Sequence, residues 1–210
     1  VPTLSQSADS NVARALGSAW AGSTLSKYAL GVTAFLTFCD GENIPAGSRL
    51  PASEHLLCAF AASRVGEISG STAQNQISAV RAWHIFNNVP WLGSVRLNYV
   101  LHGVDELTPA SSKRPPRAPI TLDMLLLLHD NLTLSDPFDS CVFAGATSAH
   151  WAQLRLGEIL SPRESSFEPG HIPRVSDLSS PISDMGSRSL HLPFTKTAKS
   201  AGDFAYICRQ

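Results

Sequence analysis

The sequence predicts a mainly α protein: a helical bundle first, then a helix-rich piece that closes in a small antiparallel β-sheet. Three observations predict it. Apolar residues recur in steps of three and four through the first hundred positions, the period of helices packed on one face. A proline-rich, basic stretch, Thr108-Pro-Ala-Ser-Ser-Lys-Arg-Pro-Pro-Arg-Ala-Pro119, then interrupts the pattern; it lacks large apolar residues and favours extended backbone. Beyond Ser161-Pro162 the period changes, with frequent Pro, Ser and Gly and short alternating runs. The expected organisation is a helical domain over 1–108, a linker over 109–119 and a second domain over 120–210.

Within the first domain, Ser23 is the expected N-cap of a helix carrying Leu25, Tyr28, Ala29, Val32, Phe35, Leu36 and Cys39 as one stripe. Asp40-Gly41 should stop it, with Gly41 in the left-handed cap conformation. Pro51-Ala-Ser53-Glu54 opens a second helix bearing Leu56, Leu57, Phe60 and Ala61. Gly70-Ser71-Thr72 opens a third, with Ala73, Ile77, Val80 and His84 on its apolar side. Weaker helices over about 9–20 and 94–106 complete a bundle. In the second domain Thr121 caps a helix over 122–128, Pro137 sits in the first turn of a segment reaching Trp151, and another helix begins near Leu154. Strands over 189–196 and 204–209 follow, joined by a loop in which Gly202-Asp203 suits a hairpin turn.

Composition is that of an ordinary globular chain, 43% hydrophobic and 16% charged over 210 residues. The longest apolar run, 124–128, is a helix face rather than a membrane span. The start, Val-Pro-Thr-Leu-Ser, has neither the basic nor the apolar region of a signal peptide, and the absent initiator Met suggests a cut from a longer product. Cys39, Cys58, Cys141 and Cys208 form no C-x-x-C and have no His at ligand spacing. Buried thiols in a reducing compartment are expected, with no metal and no cofactor. Asn131-Leu-Thr133 is a glycosylation sequon that would count only in a secreted chain. Of the histidines, His84, His129 and His150 sit on or beside apolar faces and read as core or boundary residues. No G-x-S-x-G, H-E-x-x-H or Gly-rich phosphate loop supports a hydrolase or a nucleotide-binding enzyme. Net charge is −1, modest for a nucleic-acid binder, yet between Thr108 and Ile120 the only charges are Lys113, Arg114 and Arg117.

Two short segments carry chemistry. Gln153-Leu154-Arg155-Leu156-Gly157-Glu158-Ile159 places an arginine and a glutamate three residues apart on what reads as one helical face, and Leu192-Pro193-Phe194-Thr195-Lys196-Thr197 places a lysine near a hairpin tip. Taken alone, Arg155 and Glu158 also fit a surface i,i+3 pair worth a few tenths of a kcal/mol, and Lys196 an ordinary solvated lysine. Further segments join them. Thr24-Leu25-x-x-Tyr28…Phe35-x-x-Phe38-Cys39 resembles the core-binding domain of tyrosine recombinases and phage integrases. The segment from Gly70 through Arg81 to His84 is similar to that domain's later DNA-facing helix, and Arg117-Ala-Pro119-Ile-Thr121 to the entry of the catalytic domain. The likeness spans essentially the whole chain and is nearest to the recombinases of fungal mobile elements of the DIRS and Crypton type.

The resemblance implies a SAM-like helical core-binding domain followed by part of an α+β catalytic domain. It implies duplex DNA as partner, self-association as a further one, and an intracellular, nuclear location. In the family a tyrosine attacks a phosphodiester, and a planar guanidinium holds the oxygens on which charge builds. Arg155 matches that arginine and Glu158 the acidic group that orients it. Lys196, with Lys199 as the lesser candidate, matches the lysine that protonates the leaving oxygen. Both cations would face one groove. No His-x-x-Arg follows Lys196 and no later helix offers a nucleophile; Tyr28 and Tyr99 lie in the first domain and Tyr206 on the second strand. The expected chain therefore binds DNA without cutting it, either as a fragment of an active enzyme or as a decayed descendant. Candidate DNA contacts are Lys113, Arg114 and Arg117 along the linker, and Lys27, Gln74, Asn75 and Arg81 on polar helix faces. The net charge favours a second expectation, a protein-interaction or structural module that reuses the fold without DNA.

Overall fold

A computed structural model describes residues 5–113, 115–161, 165 and 167–208. The protein is mainly α, with one two-stranded antiparallel sheet among the described residues. It divides into two compact units, Val1–Pro116 and Arg117–Gln210. The break falls within the proline-rich stretch.

The first unit holds α1 (Gln6–Gly17), α2 (Gly22–Gly41), α3 (Glu54–Ala62), α4 (Gly70–Phe86) and α5 (Val95–Glu106). Side-chain caps explain most of the starts. Ser5 Oγ accepts from the Ala8 N–H, Ser53 Oγ from that of Leu56 and Ser69 Oγ from that of Thr72. Helix α2 departs from expectation: it starts before Ser23, after Ala21, which offers no side-chain cap. Its end departs too. Gly41 stays helical and Asn43 takes the left-handed conformation, φ 56°, with its N–H bonded to Asp40 O and that of Ile44 to Cys39 O. Asparagine tolerates this region well enough to close the helix without glycine. The same closure recurs after α4 at Asn88, φ 51°.

The predicted apolar faces converge. Phe35, Cys39, Leu56, Leu57, Phe60, Ala61, Ala73, Ile77, Val80, Leu97, Leu101 and Val104 form one core, entirely within this unit. Phe35 meets Phe60 edge-on, with ring centroids 5.2 Å apart. His84 is wholly buried in this core. Its Nε2 accepts from the Ala52 N–H at 2.9 Å, and its Nδ1 lies 2.7 Å from Val80 O. A carbonyl can only accept and an amide can only donate, so Nδ1 carries the sole proton and the ring is neutral.

Helices α2 and α4 cross where the side chains are smallest. A Cβ on Gly31 would lie 2.6 Å from Ala79 Cβ and 3.5 Å from Gln76 Cα, so these backbones approach closely. Gly31→Ala should therefore destabilise the unit by about 1–3 kcal/mol, as overpacking does. Gly41→Ala meets nothing within 4 Å and should be neutral or stabilising by up to about 1 kcal/mol. Urea unfolding of the two variants checks the contrast; equal midpoints would mean that the crossing is loose.

The second unit contains α6 (Leu122–Asn131), α7 (Pro137–Trp151) and the single turn α8 (Leu156–Ile159), then β1 (Arg188–Leu192) and β2 (Asp203–Ile207). Thr121 caps α6 as expected, and Asp136 caps α7 just ahead of Pro137. Strands β1 and β2 pair antiparallel, Arg188 opposite Ile207 and Leu192 opposite Asp203. The first strand ends earlier than predicted because Pro193 has no N–H with which to extend the ladder. Gly202, φ +69°, leads into β2. Burial here is sparse: α6 buries only Leu125, and α7 buries no residue. Among the described residues no helix is long and apolar enough to cross a membrane.

Candidate nucleic-acid interface

Helix α4 carries no carboxylate along its whole length. Its buried side uses Ala73, Ile77, Val80 and His84, which leaves Ser71, Gln74, Ser78 and Arg81 as a polar row at helical spacing. Gln74 and Asn75, successive on the helix and about 100° apart, face different grooves. Gln74 and Arg81 line a groove against α5 that also holds Ser94 and Asn98. Asn75 lines a groove against α2 with Lys27, Tyr28, Thr72 and Gln76. The four helix residues expected to touch DNA are thus brought together in two pairs that flank one helix. Lys27 and Arg81 are both exposed.

Two neighbours were not foreseen. Asn98 and His102, one turn apart on α5, join Ser71 and Gln74 along the same side. Their signal was present in the sequence, as polar residues interleaved with Leu97, Leu101 and Val104, but a helix with weak periodicity hid it.

In the linker, Lys113 and Arg117 are exposed, while Arg114 lies outside the described residues. The first linker residues are fastened to the bundle. Thr108 Oγ1 accepts from the Gly70 N–H at 3.0 Å, and Ser112 Oγ donates to Glu67 O at 3.4 Å. Lys113 therefore leaves the first unit close to the start of α4, and Arg117 opens the second unit.

In the second unit, Arg155 and Glu158 do not share a helical face. Gln153, φ 53°, closes α7, with the Leu154 N–H bonded to Ala149 O. The chain is thereby reset, and Arg155 becomes the extended N-cap of α8 with Glu158 at its third helical position. The Glu158 carboxylate accepts from the Arg155 backbone N–H at 3.1 Å and from its Nη1 at 2.9 Å. Glu158 is buried, whereas the Arg155 side chain is 66% exposed. A guanidinium has five N–H donors, so this clamp orients the fork and leaves donors aimed outward.

Lys196 is exposed in the tight turn that follows β1, between Thr195 and Lys199, whose backbone groups exchange hydrogen bonds of 2.9 and 3.3 Å. Thr195 is buried beneath it, and its Oγ1 accepts from the Ala198 N–H. Lys199 is exposed with φ 55°. Arg155 and Lys196 belong to one unit. A His-x-x-Arg spacing does occur, at His171 and Arg174, ahead of Lys196 rather than after it. His171 stacks on Phe194 at 3.9 Å and pairs with Glu168, and the Arg174 backbone N–H donates to Asp177. Tyr206 is 61% exposed on β2, opposite Ser189.

Among the described residues, Lys27, Arg81, Lys113, Arg117, Lys196 and Lys199 have no ion-pair partner, and neither do Arg14, Arg96, Arg174 and Arg188, whereas Arg49, Arg64 and Arg155 pair with Asp40, Glu67 and Glu158. No protein-family model matches the chain, and no curated protein matches it.

Proposed function

We propose that this chain is a duplex-DNA-binding, tyrosine-recombinase-like module that does not cleave DNA by itself, acting in the nucleus. The observation that carries the reading is where unpaired cations stand, on and beside a helix without carboxylates and in the linker that follows. A cation already matched to a carboxylate gains little from a phosphate, whereas a free one gains the full attraction and releases a counterion. Lys27 and Arg81 flank a helix without carboxylates, and Lys113 and Arg117 follow in the linker. In the second unit Lys196, unpaired on an exposed turn, would serve as the phosphate contact, while Arg155, already paired with Glu158, would add only the guanidinium donors that the pair leaves free.

Cleavage would need a second phosphate-binding arginine and a nucleophile, and no residue beyond Lys196 matches either in the family's order. Loss of one such stabilising donor alone costs about 10²–10³ in rate. Incubation with nicked or suicide duplexes is expected to give no covalent protein–DNA adduct under conditions where a gel shift shows binding. An adduct mapped to Tyr206 would overturn the inactive reading.

The net charge of −1 favours the second reading, a protein-interaction module that does not engage DNA, with self-association as one form of it. A gel-shift titration at two salt concentrations separates the two. Binding that weakens steeply with salt supports the DNA reading, and no shift at low salt supports the other.

A further inference from the structure

The segment 118–154 contains no lysine or arginine, but it contains Asp123, Asp130, Asp136 and Asp139. It also contains α6, whose run from Met124 to Leu128 is wholly apolar, and that helix is scarcely buried. Leu125 is covered, and His129, one turn on, meets the Phe143 ring of α7 at 5.3 Å. That side is the one turned to the protein. On the others, Leu122 is 53% exposed, Met124 48%, Leu126 54% and Leu127 65%. Single exposed leucines are ordinary; four large aliphatic side chains exposed within two turns of one helix mark an interaction surface.

At 3.6 residues per turn, Asp123 and Asp130 fall in one row along the middle of this exposed face. Leu122 and Leu126 lie on one side of the row and Met124 and Leu127 on the other. Both aspartates are exposed, and Asp130 has only the adjacent His129 as a partner. The chemistry is therefore an acidic row between two apolar rows, with no cation of its own.

We propose that this face of α6 docks an amphipathic helix of a partner protein, one whose aliphatic residues alternate with lysine or arginine. The charges argue for that occupant over the others. Phosphates are repelled by a segment with four aspartates and no cation, so the face is no part of a DNA surface. A second copy in a two-fold contact would set the Asp123–Asp130 row against itself, and like charges brought together at an interface cost several kcal/mol. A basic helix satisfies both components at once: its aliphatic side chains cover the leucines and its cations meet the aspartates. The inference is independent of whether the chain binds DNA.

The test uses the full chain and two synthetic 20-residue helical peptides with leucines at three- and four-residue steps, one with lysines between them and the other with glutamates in their place. Fluorescence polarisation should show the lysine peptide binding at least about tenfold more tightly. The double variant Asp123→Lys/Asp130→Lys should reverse the order, and Leu126→Ser/Leu127→Ser should abolish binding of the lysine peptide without shifting the thermal midpoint. Equal affinity for the two peptides, or no binding of either, would overturn the proposal. So would a concentration-dependent dimer in sedimentation that Leu126→Ser/Leu127→Ser dissolves, since the occupant would then be a second copy.

Discussion

His84→Ala is expected to destabilise the first unit by about 3–5 kcal/mol, the largest single effect the fold supports. The substitution removes a fully buried ring and leaves a cavity, a change that costs about 2–5 kcal/mol when large core side chains are truncated. It also strips the buried Ala52 N–H of its acceptor, which costs about 1–3 kcal/mol where no other partner exists. His84→Phe restores much of the volume but not the acceptor, so it should recover part of the loss and no more. Urea unfolding of the three proteins measures the ladder. Equal stability of the alanine and phenylalanine variants would mean that the hydrogen bond, not the packing, carries the term.

The same residue predicts the acid response. Burial pushes the His84 pKa down from 6.5, although the Val80 hydrogen bond opposes it. The unfolded chain then binds a proton that the folded chain refuses, so stability is complete above pH 6.5 and is lost as the pH falls below it. One such group gives a slope of at most about 1.4 kcal/mol per pH unit. His84→Phe should remove that slope, and a variant that keeps it would assign acid sensitivity to other histidines.

His84 also shows what was legible in the sequence. Its place on the apolar side of a helix followed from its spacing with Ala73, Ile77 and Val80. Its partner, the Ala52 amide, did not, because 32 residues separate the two and only packing joins them. The faces of α2, α3 and α4 were readable for the same reason, since helical period is a local signal. Ends were less so. Asn43, Asn88 and Gln153 take the left-handed position that glycine usually fills, while Gly31 and Gly70 mark close approaches instead. A helical glycine reads only as weak propensity until its neighbour is known.

The candidate site divides in the same way. That Gln74 and Asn75 lie on different sides of α4 follows from 100° per residue, but which helix each one meets depends on how α2 and α5 pack. Arg155 and Glu158 were legible as a pair through their spacing. Their geometry was not, because it depends on Gln153 ending α7 two residues earlier and turning a presumed helical face into a cap. Lys196 was readable near a hairpin tip, and Pro193 sets how far the ladder runs before it.

The salt dependence of DNA binding is the second large expected effect. If Lys27, Arg81, Lys113, Arg114 and Arg117 each neutralise a phosphate, the slope of log K against log salt is about −4.5, and affinity falls roughly 10²–10³-fold between 50 and 200 mM salt. Replacing Lys113, Arg114 and Arg117 by alanine should flatten the slope by about 2–3, leaving a fall of about tenfold over the same range. Lys27→Ala/Arg81→Ala should flatten it by about 2 in the same assay. Lys27, Arg81, Lys113 and Arg117 are exposed, and Pro115, Pro116 and Pro119 keep the linker extended, so substitution at these four should leave the unfolding midpoint unchanged. A slope that survives the linker substitutions but falls with Lys27→Ala/Arg81→Ala would confine the DNA to the two grooves beside α4. A slope that ignores all five would place the DNA surface elsewhere, with Arg155, Lys196 and Lys199 the next residues to replace.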